Sequence, residues 1–217
     1  MRSGELISLF RADVDDTAEP YFWSDAEIVG YADDAQKMFC RFTYGIRDAM
    51  SILCTVDIEQ GEPFAAIDPR ILRISRIQRN SDAGLIDIVN IEDLDTLDLR
   101  LDSIPGVVKM AVLGMQAHTL RWMKVPSEDD TASMIIERLP LNTLTLERSL
   151  PLEIDEQHHR HLMLWMASLA YAKQDADTQN TGKAMSKEAQ FRAYCAEAKA
   201  EKARARHKPR VVAYGGI

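Results

Sequence analysis

Apolar residues along this chain keep two different rhythms. At both ends they recur every three or four residues, the spacing of one helix face. Between residues 51 and 150 they come in short runs broken by turn-prone stretches. The clearest helical signal is residues 21–47. Ser24 and Glu27 stand in capping-box spacing, with Trp23 and Ile28 placed to staple the chain entry. Apolar side chains follow at Ile28, Tyr31, Ala32, Ala35, Met38, Phe39, Phe42 and Ile46, while Asp33, Asp34, Lys37 and Arg41 fall mainly off that stripe. Residues 5–11 predict a short amphipathic helix burying Leu6, Ile7 and Phe10. After Asp155, a plausible N-cap, Leu162, Trp165, Met166, Leu169 and Ala172 form a second stripe. A break at QDADTQNTG precedes a last helix over 183–206, with Phe191, Tyr194, Cys195 and Ala198 on one side, stopped by Pro209.

The middle of the chain reads as β. SILCTVDI is apolar and β-branched, and IDPRILRISRI sets Leu72 and Ile74 on one face against Arg73 and Ser75 on the other. LIDIVNI is a further run, and the acidic EDLDTLDLRLD reads as a helical turn or a loop. VVKMAVL, HTLRWMKV, ASMIIERL and NTLTLERS are four more short runs. The expected fold class is therefore α+β: a helical bundle formed by the N- and C-terminal helices (residues 1–50 and 151–206), an inserted small antiparallel β region (51–150), and an extended C-terminal tail (207–217). The expected bundle core is Trp23, Phe39, Phe42, Leu162, Trp165, Met166 and Leu169.

Composition narrows the function. With 217 residues, 46% of them hydrophobic and 28% charged, the chain can build a good core. Its longest apolar runs fall short of the roughly 20 residues of a membrane span, and its N-terminus lacks a signal-peptide core, so synthesis in a cytoplasm is expected. Three scattered cysteines predict buried free thiols. Net charge is −8, and the polarity is uneven: residues 1–34 carry nine acids and two bases (−7), residues 196–217 six bases and two acids (+4). A body so acidic is a poor duplex-DNA binder, since phosphate neutralisation supplies much of that affinity.

Candidate chemistry is sparse. His158, His159 and His161 in HHRH, with Glu156 three residues before His159, are the one cluster with metal-ligand spacing; a second copy and further carboxylates are lacking. No dinucleotide fingerprint, P-loop, nucleophile elbow or CxxC occurs. The expectation is no catalytic residue, no cofactor and no metal, with a metal-dependent hydrolase on the histidine cluster as the alternative. The basic end followed by VVAYGGI has two readings: a solvated helix end, or an arm that orders only on a partner. A protein-interaction module binding through that tail is a further alternative.

Three stretches in this order carry a resemblance: EPYFWSDAEIVGYADDAQKMFCR; IDPRILRISRI; and TLRWMKVPSEDDTASMIIERLPL running on through LPLEIDEQHHRHLMLWMASLAYAKQDAD into KAMSKEAQFRAYCAEAKAEKARAR. They cover most of the chain. The sequence resembles the head-to-tail adaptor (head-completion, or tail tubular A-type) proteins of tailed bacteriophages. The resemblance implies a structural virion protein, made in the host bacterial cytoplasm. It would form a ring, commonly of twelve copies, between the portal protein and a tail or nozzle protein. Neighbouring adaptor subunits would complete the ring, and double-stranded DNA would pass through the lumen without specific binding. It also implies a portal-docking arm, here Arg206, Lys208, Arg210, Val211, Val212, Ala213, Tyr214, Gly215, Gly216 and Ile217. No membrane partner and no catalytic residues are implied. EDLDTLDLRLD and GVVKMAVL match nothing in the family pattern.

Overall fold

The Ser24 signal forms a helix as its cap chemistry dictates. In a computed structural model that describes residues 1–97, 101, 104–146, 150–174 and 178–206, the Ser24 hydroxyl accepts from the Glu27 amide at 3.3 Å and the Glu27 carboxylate accepts from the Ser24 amide at 2.9 Å. Trp23 and Ile28 are both buried beside this cap. The chain divides into two compact units, Met1–Tyr44 with Pro140–Ile217, and Gly45–Leu139.

The first unit contains four helices among its described residues: α1 (Ser3–Val14), α2 (Asp25–Phe42), α3 (His159–Ala172) and α4 (Thr181–Arg206). A single 3-10 turn, Glu156–His158, leads into α3, and the Asp155 side chain makes no cap bond. Asn180 starts α4 instead, its side-chain oxygen accepting from the Lys183 amide at 2.9 Å. Phe10, Phe39, Leu162, Met166 and Phe191 are fully buried where the helices meet. Two acids expected off the α2 stripe turn inward. Asp33 accepts from the Leu144 amide at 2.9 Å, tethering the chain that returns from the second unit, and Asp34 accepts from the Trp165 indole at 2.7 Å.

The second unit is a sheet fold of its own. Its strands are β1 (Ile46–Asp48), β2 (Thr55–Ile58), β3 (Phe64–Ala66), β4 (Ile71–Arg79), β5 (Leu85–Asn90), β6 (Pro105–Gly106), β7 (Met110–Leu113), β8 (Thr119–Trp122), β9 (Val125–Pro126) and β10 (Asp130–Arg138). Seven run in the order β1-β10-β4-β5-β7-β8-β3, the eighth, β2, pairs with β10 beside β1, and β6 pairs with β9 separately. Pairing is antiparallel except for β5 with β7 and β6 with β9.

The expected α+β architecture, a helical bundle bearing a small antiparallel β insertion, is therefore corrected to a mixed α/β chain: four described helices and a curled mixed sheet. The parallel β5–β7 pair is what an antiparallel reading excludes. It needs a long crossover, and residues 91–109 provide one. Leu94 in that crossover is buried against Val89 and Val112 of the parallel strands. Of the runs read as strands, NTLTLERS forms none among its described residues. The tail at 207–217 lies outside the described residues.

Strand β4 departs from simple alternation. Ile71, Ile74 and Ile77 are all buried, three residues apart, while Leu72 is 39% exposed, so the expected Leu72–Ile74 face does not exist. The register explains this: Ile77, Arg76, Ile74, Arg73 and Ile71 pair with consecutive residues of β10, and Ser75 and Leu72 are passed over. Each skipped residue is a bulge that resets the in/out phase by one. Gly45 enters this sheet at φ +74°, and a Cβ there would lie 2.7 Å from the Arg138 carbonyl, a contact only glycine avoids.

Candidate functional site

The expected core residues sit in the helical unit as follows. Phe39, Leu162 and Met166 are fully buried, Trp165 nearly so, and Phe42 and Leu169 are half-buried. Trp165, Phe42 and Phe191 form a ring cluster with centroids 5.2–6.5 Å apart. Trp23 is buried at the start of α2, edge-on to Phe10 and Tyr171, its indole donating to the Ala170 carbonyl at 3.3 Å.

The three histidines do not converge. The His158 Nδ1 meets the Tyr194 hydroxyl at 2.7 Å, the His159 Nε2 meets the Ile154 carbonyl at 2.8 Å, and the His161 ring stacks on Tyr194 at 3.5 Å between centroids. Burial pushes all three below the ordinary imidazole pKa. His158 and His161 thus both pack on Tyr194 of α4, and the buried His161 Nδ1 makes no hydrogen bond. Among the described residues no group of three or more His, Cys, Asp or Glu could hold a metal ion.

Of the expected docking arm, Arg206 is the last residue of α4, and Lys208, Arg210, Val211, Val212, Ala213, Tyr214, Gly215, Gly216 and Ile217 lie outside the described residues. Just before it, Tyr194, Glu197, Ala198, Ala200, Glu201 and Arg204 line an open groove of about 360 Å³ along α4.

Two surfaces escaped the sequence reading. The first is the loop between α1 and α2, built on Arg11. This buried guanidinium donates to Asp16 at 2.6 Å, to the Trp23 carbonyl at 2.9 Å and to Asp25 at 2.6 Å, and lies 3.8 Å from the centroid of the Tyr21 ring. Asp16 also accepts from the Phe22 amide at 2.9 Å. The clamp holds Tyr21 and Phe22 outward, 44% and 52% exposed, on a stretch that also carries the exposed acids Asp13, Asp15 and Glu19, of which Asp13 pairs with Lys187. An arginine ending a predicted short amphipathic helix gave no hint of this role.

The second is the connection from β1 to β2. Both strands pair with one edge of β10, β1 at Ile136–Arg138 and β2 at Asp130–Ser133 by register, so the intervening residues leave the sheet opposite Met134 and Ile135. Asp48 fixes this excursion. Its carboxylate accepts from the Met50 and Ser51 amides at 2.8 and 3.1 Å and from the Arg138 guanidinium at 2.5 Å. Burial alone would raise the Asp48 pKa, but these bonds hold it well below the usual carboxylate range. Met50 and Ile52 project at 95% and 87% exposure, although SILCTVDI, which contains Ile52, reads as an apolar β run.

Large apolar side chains held out on fixed backbone, at Tyr21 and Phe22 and at Met50 and Ile52, are surfaces suited to contacts with other proteins. The family model of the SU10 adaptor protein matches residues 1–213, and the chain belongs to that family of phage head-to-tail adaptors. It is a structural adaptor of a bacteriophage virion. No curated protein matches the chain.

Proposed function

We propose that copies of this chain form a ring beneath the portal of a DNA-filled capsid, connect the capsid to the tail, and surround a channel through which DNA passes. The observation that carries the reading is the family match across residues 1–213. The charge supports it: residues 1–195 hold −12 once the +4 of residues 196–217 is set apart from the net −8, and like-charged walls let DNA slide without sticking. Helix α4, about 39 Å long for its 26 residues, carries the chain to the basic and apolar segment from Arg206 to Ile217.

That segment is the docking arm in this proposal. Val211, Val212, Ala213 and Tyr214 fill an apolar groove of the portal. Arg206, Lys208 and Arg210 meet acidic residues there, which adds encounter rate and orientation. One arm binds weakly, and many arms on one ring bind well through effective concentration. The ring of about twelve copies, with a tail or nozzle protein below, follows the family pattern. The test is a chain ended after Arg206, given to portal-bearing, DNA-filled capsids that lack adaptor. It folds with unchanged helical circular dichroism and fails to bind or to retain DNA. A truncated chain that docks and retains DNA as well as the full chain removes the arm from this role.

A further inference from the structure

The β1–β2 excursion and the α1–α2 loop, both bearing exposed apolar side chains, differ in the charge beside them. The excursion in the sheet unit carries Met50 and Ile52, with the exposed Arg47 immediately before the Asp48 bracket. The loop in the helical unit carries Tyr21 and Phe22 on the same stretch as the exposed acids Asp15 and Glu19. Both backbones are pinned by buried ion pairs, Asp48 with Arg138 and Asp16 with Arg11. Neither surface therefore needs to be ordered when it binds, which removes one cost of association. A methionine and an isoleucine more than four-fifths exposed on a pinned loop are anchor residues without a pocket.

We propose that this finger seats on the Tyr21–Phe22 loop of a second copy of the chain. Met50 and Ile52 cover the outer faces of the two rings, a favourable contact for a thioether on an aromatic. Arg47 meets the carboxylates of Asp15 and Glu19. Tyr21 already holds a guanidinium, that of Arg11, 3.8 Å from its ring centroid, so a neighbour's apolar and cationic groups meet its remaining surface. The two surfaces are different and both belong to the same chain, so the contact is heterologous. Repeated around an axis it closes a ring. The inference rests on the proposed ring and assigns its subunit contact.

The test uses the full chain with Met50→Cys and Phe22→Cys together, bound to portal-bearing capsids lacking adaptor and then mildly oxidised. Cys40, Cys54 and Cys195 are buried, and the unsubstituted protein gives the background. Disulfide-linked multimers on a non-reducing gel are expected from the double variant and from neither single one. In a second arm, Arg47→Glu lowers the adaptor bound per capsid about tenfold, and adding Asp15→Arg with Glu19→Arg restores most of it. Rings seen by electron microscopy in which the cysteines stay unlinked, with no rescue by the charge swap, overturn this contact and leave the ring standing. Bound adaptor that forms no ring at all overturns both.

Discussion

Replacing Arg11 with methionine tests whether one buried guanidinium organises the start of the helical unit. The Arg11 and Asp16 side chains are 9% and 1% exposed, and their closest atoms are 2.6 Å apart. Methionine replaces most of the aliphatic stem, so the change is largely electrostatic. It leaves the Asp16 carboxylate buried with the Phe22 amide as its donor, and strips the Trp23 carbonyl of the Arg11 donor. Breaking a buried pair from one side costs about 3–5 kcal/mol. The bond to Asp25 adds little, because that carboxylate is 51% exposed and an exposed pair is worth at most about 1 kcal/mol. The loss for Arg11→Met is therefore about 3–5 kcal/mol, read from urea unfolding followed by helical circular dichroism. Adding Asp16→Asn removes the stranded charge and keeps an acceptor for the Phe22 amide. The double variant recovers about 2 kcal/mol or more of the loss. A single-variant loss below about 1 kcal/mol, or a double variant no better than the single, refutes the clamp.

Trp165→Ala costs about 3–5 kcal/mol through the cavity left beside Phe42 and Phe191, whereas Trp165→Phe costs about 1–2 kcal/mol by taking the indole donor from Asp34; equal effects in urea unfolding would show that the Asp34 bond dominates. Acidification from about pH 7.5 to about pH 5 lowers the melting temperature. His158, His159 and His161 have folded pKa values below 6.5, so stability is full above 6.5 and falls as the unfolded chain takes up protons that the folded one refuses. The hydrogen bond from Lys173 holds Glu27 down at about 2, so that group's contribution is present above its ordinary 4.5 and is lost only as the pH falls toward 2, outside this window. A His159→Gln variant should lose less on acidification than the parent, and an unchanged slope would exclude His159 as a source.

The helices were legible because their signals are local. A serine, a glutamate three residues on and a 3.6-residue stripe settle where α2 begins, and the structure starts it at Asp25 behind the Ser24 cap. What each polar residue on a helix does was less legible. Asp33 and Asp34 look like a solvated pair, yet one ties down the returning chain at Leu144 and the other holds the Trp165 indole. Arg11 looks like a helix-end cation, but its partners lie five to fourteen residues away, in the loop after α1 and at the first residue of α2. The histidine cluster has metal-ligand spacing, but the His158 and His159 nitrogens meet the Tyr194 hydroxyl and the Ile154 carbonyl, and the His161 ring stacks on Tyr194.

The sheet was legible as short strands and illegible as a topology, for a physical reason that also bears on function. Strand pairing is chosen by contacts remote in sequence, and a bulge changes which face a residue takes without altering local composition. In β4 two bulges turn Leu72 outward and bring Ile71, Ile74 and Ile77 to one side, which alternation alone assigns wrongly. The same logic hides the finger. An apolar run such as SILCTVDI is in or out according to whether the edge of β10 stays paired, and that edge is interrupted where Asp48 turns to accept from Met50, Ser51 and Arg138. An uninterrupted edge strand would offer a continuous row of free backbone groups, a hazard in a protein meant to assemble in a fixed geometry. Breaking the strand shortens that row and places two apolar side chains where an edge would have been. One departure from regular pairing thus limits unwanted sheet growth and leaves Met50 and Ile52 exposed on a pinned backbone.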